Sequence, residues 1–234
     1  MNSYYSNIYW HFTGSPKGSN WAVNTSPADI IRDKQIKSDV DAWEIAMEII
    51  KTKKLLATCE ERISENRSTD KFCCLTDIPI QNLHEHCKYY GRVCIGFNYK
   101  AVHPQFNPVL YMSMFYLPLR DVPINKLIKR NSSTGTEEGT LETMKYSYSI
   151  QEIDEAKLDR HFINHLKITF FSPKAGKSFY REREWRSIGD FKFDIDSIAC
   201  IIVPNKLLNQ THTRLKELKF ENVSVLTWEF LKRI

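Results

Sequence analysis

Seven short segments rich in aromatic and β-branched residues punctuate this chain, and helical patterns fall between them without a fixed alternation. A doubly wound parallel sheet needs a regular strand–helix–strand rhythm, so the mixture points to an α+β domain. The strand readings are Asn7 to Thr13, Phe72 to Thr76, Val93 to Phe97, Val109 to Met112, Phe179 to Ile188, Ile198 to Val203 and Val223 to Trp228. Gly14-Ser15-Pro16 ends the first, and Asp77-Ile78-Pro79 closes the second.

Helices read as follows. Ser26-Pro27 supplies an N-cap and a first-turn proline for a short helix through Ile36. Asp39 caps a longer one, whose Trp43, Ala46, Met47 and Ile50 fall at i, i+3, i+4 and i+7. A helix through His84 to Tyr90 stops at Gly91, another runs from Glu152 to Leu166, and a last one covers Lys206 to Leu218. Residues 131–146 are polar, glycine-bearing and aperiodic, which predicts a mobile loop or lid within one domain spanning 1–234, because strand patterns continue on both sides.

With 42% hydrophobic and 26% charged residues, the chain can bury a core without staples. A formal net charge of +5 permits an anionic partner without demanding one. The six cysteines show no CxxC spacing, and the N-terminal region has no apolar leader, so the expectation is a reduced, cytoplasmic protein. Phosphate-loop and nucleophile-elbow patterns are missing from the sequence. On a helix His84 and His86 would point about 200° apart, which argues against a shared metal, and no metal site is predicted.

The densest chemistry lies in Tyr180-Arg-Glu-Arg-Glu-Trp-Arg186. On a strand, Glu182, Glu184 and Arg186 share one face. Two carboxylates so placed repel, which raises one pKa unless a cation intervenes. Such a pair suits work at an anomeric carbon, one carboxylate steadying a cationic sugar and the other handling a proton. The plainer reading is an exposed, salt-bridged strand face with Arg186 neutralising Glu184. His11 and Thr13 share a face of the first strand and could hydrogen-bond a ligand, or His11 could be a satisfied, half-buried side chain. Thr76-Asp77 reads most simply as a cap for the segment that follows.

Taken in order, Tyr9-Trp-His-Phe-Thr13, Phe72-Cys-Cys-Leu-Thr-Asp-Ile-Pro79, Tyr90-Gly-Arg-Val-Cys-Ile-Gly-Phe97, Asn107-Pro-Val-Leu-Tyr111 and Phe179-Tyr-Arg-Glu-Arg-Glu-Trp-Arg186 resemble the AbiGi-type abortive-phage-infection family. One level further out the pattern resembles the ADP-ribosyltransferase superfamily. That second resemblance implies a split, mainly antiparallel sheet flanked by helices, with NAD as co-substrate. It also implies Glu184 and Glu182 as catalytic residues and His11, Thr13, Thr76 and Tyr90 as cofactor contacts. The function so implied is an NAD-dependent ADP-ribosyltransferase toxin of a phage-defence system. It would modify a nucleic acid, RNA favoured, or a translation-related protein, and an antitoxin or other defence-system protein would be its partner. The AbiGi resemblance also implies a second class of function: a non-catalytic antitoxin or phage-sensing module. A metal-dependent nuclease using Asp77 and the glutamate pair is a third.

Overall fold

The computed structural model describes residues 7–16, 26–32, 35–64, 67–113, 160–169, 171–172, 174 and 176–233. In chain order the first elements are β1 (Ile8–Phe12), α1 (Pro27–Arg32), α2 (Asp39–Thr52), β2 (Lys54–Leu55), β3 (Arg62–Ser64) and β4 (Arg67–Ser68). Then come β5 (Phe72–Thr76), α3 (Leu83–Tyr90), β6 (Cys94–Asn98), α4 (Tyr99–Val102), β7 (Asn107–Pro108) and β8 (Leu110–Ser113). The remainder comprises α5 (Arg160–Asn164), β9 (Leu166–Thr169), β10 (Glu184–Ile188), β11 (Phe191–Lys192), β12 (Ile198–Val203), α6 (Leu208–Glu217), β13 (Ser224–Thr227) and α7 (Trp228–Leu231).

Seven strands form one sheet in the order β13-β12-β6-β1-β5-β10-β7, and three two-stranded ladders stand beside it. Every pairing within the large sheet is antiparallel except β12–β13, which α6 connects as a crossover. The expected α+β domain with a mainly antiparallel sheet is what forms.

Alternation along the strands sorts the core into two layers. Tyr9, Ile95, Phe97, Ile201 and Val203 face one side, where Ala42, Trp43, Ala46, Met47 and Ile50 of α2 cover them. Burying each of the larger side chains contributes roughly 1.5–3 kcal/mol. Trp10, Phe12, Cys94, Cys200 and Ile202 face the other side, against Ile30 of α1, Leu83 and Tyr90 of α3, and Trp228 of α7. The indole Nε1 of Trp43 donates to Thr211 at 3.0 Å, so the most polar atom of the α2 stripe is satisfied inside the core. Among the described residues no helix is long and apolar enough to cross a membrane.

Several sequence expectations need correction. The cap of α2 is Ser38, whose hydroxyl accepts from the Asp41 amide at 3.1 Å, one residue before the expected Asp39. Helix α1 ends at Arg32 instead of reaching Ile36. Leu166 opens a strand and so is not helical; of the predicted 152–166 helix only Arg160–Asn164 is a described helix, and the rest lies outside the described residues, as does the 131–146 loop.

The predicted Phe179–Ile188 strand is two elements: a 3-10 turn over Phe179–Glu182, then β10. Ser178 accepts from the Tyr180 amide at 3.2 Å and starts the turn, and Arg183 leaves it in the left-handed region at φ 48°. The Arg183 guanidinium grips Asp77 through Nε–Oδ1 at 2.6 Å and Nη2–Oδ2 at 3.1 Å, which holds that unusual backbone in place. Asp77 is therefore a salt-bridge partner and not a helix cap.

Two glycines set how closely β1 and α3 meet. A Cβ on Gly14 would lie 2.6 Å from the Gly91 Cα and 2.8 Å from the Tyr90 carbonyl oxygen, both backbone atoms. Gly91 itself sits at φ 86°, ending α3 where only glycine is unstrained. Gly14→Ala isolates the crowding, and it is expected to cost about 1–3 kcal/mol. Thermal or denaturant unfolding of the full chain reads this directly, and an unchanged midpoint would show that the two backbones separate freely.

Candidate functional site: a buried carboxylate cluster at the floor of a cleft

Register across the sheet assembles the site. Trp10 of β1 stands opposite Thr76 of β5, and Thr76 stands opposite Glu184 of β10. These neighbours open onto a cavity of about 430 Å³ lined in part by His11, Phe12, Thr13, Cys59, Glu61, Cys74, His86, Tyr90, Lys167 and Glu182. All six predicted residues His11, Thr13, Thr76, Tyr90, Glu182 and Glu184 line this cavity, although alternation puts His11 and Thr13 on the α2 side of the sheet and Thr76 and Glu184 on the Trp10 side.

The floor is an ion network between three carboxylates and two cations. Lys167 Nζ lies 2.9 Å from Glu61 Oε1, 2.7 Å from Glu184 Oε2 and 3.4 Å from Glu182 Oε2. Arg186 Nε donates to Glu184 Oε1 at 2.8 Å, and its Nη2 reaches Glu61 Oε2 at 2.5 Å. Arg186 also donates to the carbonyls of Asn164 and Leu166 at 3.3 and 3.4 Å, and its guanidinium lies 4.1 Å from the Phe72 ring centroid. Arg186 does neutralise Glu184, but not on an exposed face: Arg186 is 0% and Glu184 6% exposed.

Environment drives the two glutamates apart. Burial is the main influence on Glu182 and lifts its pKa to about 7, with Lys167 opposing and Glu184 adding to the rise. Burial would raise Glu184 as well, but Arg186 and Lys167 outweigh it and bring its pKa down to about 2. Glu184 is therefore a fixed anion with both oxygens engaged, and Glu182 a carboxyl that titrates near neutrality. Lys167 stays charged despite burial, because Glu184, Glu61 and Glu182 surround it.

The remaining side chains are spoken for in different ways. Tyr90 donates its hydroxyl to Glu182 Oε1, and burial followed by the Glu182 charge pushes its own pKa well up. Thr76 Oγ1 donates to the Glu182 carbonyl, and Thr13 Oγ1 donates to the Ala42 carbonyl at 2.7 Å. Both hydroxyls serve the backbone. His11 Nδ1 lies 3.0 Å from the Cys74 carbonyl; a carbonyl only accepts, so Nδ1 carries the proton and Nε2 is left as an acceptor. Burial lowers the His11 pKa, and it pushes His86, stacked on Tyr90 with centroids 4.3 Å apart, down to about 3. Both rings are neutral near pH 7.

Sequence reasoning missed Lys167, Glu61 and the inward-facing His86. Lys167 did leave a signal: the one charged residue in the mainly apolar run Leu166-Lys-Ile-Thr-Phe-Phe171. Glu61 left none, since it lies in a polar stretch. Among the described residues no group of three or more His, Cys, Asp or Glu is placed to hold a metal ion.

Two outcomes follow from this electrostatic arrangement. Glu182 keeps its proton in the folded chain at pH values where the unfolded chain, near 4.5, has lost it. The stability it contributes is complete below about pH 4.5 and is lost as pH rises through about 7. Glu182→Gln, which keeps a neutral side chain throughout, should gain several degrees of melting temperature on wild type between pH 4.5 and 7.5. A pH-independent difference would contradict the assignment. Lys167→Met leaves three carboxylates facing one cation, and should cost about 3–5 kcal/mol in denaturant unfolding.

The chain matches no curated protein and no solved structure. Residues 52–229 do match a family model, described as "putative abortive phage resistance protein AbiGi, antitoxin". The match includes β5, β6, β10 and the whole carboxylate cluster. The word antitoxin overturns the expectation of an ADP-ribosyltransferase toxin and favours its alternative, the antitoxin. With more than half its length inside that model, the chain belongs to the AbiGi family.

Proposed function

We propose that this protein is the antitoxin of an abortive-infection system, and that it works by binding another protein of that system without chemistry of its own. The observation that carries the reading is the family match over residues 52–229. The cleft agrees with it. Glu184, the carboxylate best placed by sequence for catalysis, has Oε1 on Arg186 at 2.8 Å and Oε2 on Lys167 at 2.7 Å. Releasing an oxygen to a reacting atom would take from a buried cation one of its carboxylate partners, at a cost of several kcal/mol. In this reading the network holds β9, β10 and the Glu61 segment in one arrangement, and the cleft above it is a recognition surface.

Binding and catalysis differ in stoichiometry, and that gives the test. The toxin of the same system is assayed alone and with increasing amounts of the full chain. A binding antitoxin abolishes toxin activity at a fixed, near-equimolar ratio, and a folded Glu184→Gln chain reaches the same endpoint. Neutralisation at a hundredth of that ratio, lost in Glu184→Gln, would overturn the proposal in favour of an enzymatic antitoxin.

A further inference from the structure

Two of the thiols stand apart from the others. Cys59 and Cys74 both line the cleft, both are half-buried, and both are free. Cys59 belongs to no regular strand. It is held to β5 by one antiparallel bridge pair with Phe72, through N–O contacts of 3.1 and 2.9 Å. Cys74 is two residues beyond Phe72, so it shares a face of β5 with Phe72 and lies diagonally across from Cys59. Each thiol shifts the ionisation of the other, Cys59 downward and Cys74 upward.

We propose that Cys59 and Cys74 form an oxidation-sensitive dithiol, and that a hydroperoxide entering the cleft closes them into a disulfide. The Cys59 sulfur, as thiolate, attacks one oxygen of the peroxide; the O–O bond breaks and one water leaves, giving a sulfenic acid. The Cys74 sulfur then attacks that sulfur, the S–O bond breaks, and a second water carries off the oxygen. Two thiols and one hydrogen peroxide become one disulfide and two waters.

Three observations support this order of events. Cys74 is the main influence lowering the Cys59 pKa, ahead of the burial that opposes it, and Lys167 helps. Cys59, with burial, raises Cys74 well above its ordinary value, so the pair divides into nucleophile and resolving thiol. The fold also contains its own control. Cys94 and Cys200 are diagonal neighbours on β6 and β12, but they are 0% and 4% exposed, and burial raises both thiols. Cys87, half-buried elsewhere, is also raised by burial. Cys59 differs in combining cleft access, a lowered pKa and a partner thiol. A disulfide here would tie the stretch leading to Glu61 onto β5, next to the ion network.

The test is peroxide treatment of the full folded chain, followed by alkylation of remaining thiols and non-reducing peptide mass spectrometry. The expected product is a Cys59–Cys74 cross-linked peptide, two hydrogens lighter than its parts, while Cys94 and Cys200 stay alkylated. In Cys74→Ser the disulfide is lost and Cys59 accumulates as sulfenic acid that dimedone traps. Before oxidation, wild-type Cys59 should react with iodoacetamide about tenfold faster than Cys87 near pH 7.5. Oxidation of Cys87 ahead of Cys59, or over-oxidation of Cys59 in wild type with Cys74 left free, would overturn the proposal.

Discussion

Lys167 is the charge on which the site depends. Its ammonium, on β9, touches three carboxylates from two separate stretches of chain: Glu61 before β3, and Glu182 and Glu184 on either side of Arg183. Arg186 doubles two of those contacts from the strand itself. Removing all of these ions from water is costly, and well-packed apolar residues in their place would often be at least as stable. What the network supplies is geometry. A buried cation with three acceptors fixes the relative positions of segments that share few other contacts.

The same network explains why two glutamates two residues apart behave so differently. Glu184 sits between both cations and is pinned as an anion, whereas Glu182 has one longer contact to Lys167 and a neutral phenol. A carboxyl beside a tyrosine hydroxyl, in a cleft also lined by two neutral imidazoles, gives a floor whose charge changes near neutrality. Under the antitoxin reading proposed above, such a floor selects a partner by hydrogen bonding without carrying a reaction.

How much of this was legible in the sequence depended on how local the cause was. β5 and β12 read to the residue, because β-branched and aromatic runs with clear stops decide a strand within five or six positions. The buried stripe of α2 read correctly because helical periodicity is a local property. Glu182 did not, because the left-handed turn at Arg183 has no signature of its own, and the partner that grips its guanidinium, Asp77, is far away in sequence. His11, Thr76 and Glu184 could be named from order alone, but their shared cleft required the register of three strands. The family description then redirected the function those residues had suggested.

One modest feature of the sheet bears on how the protein behaves in company. Its β7 edge is two residues long, and one of them is Pro108. Val109 points its N–H inward to the Glu184 carbonyl at 2.9 Å, so by alternation the Pro108 nitrogen points outward, where it has no hydrogen to offer. An incoming strand from another molecule would meet a short border lacking a donor. Among the described residues, open-ended pairing of sheet edge with sheet edge is discouraged on that side.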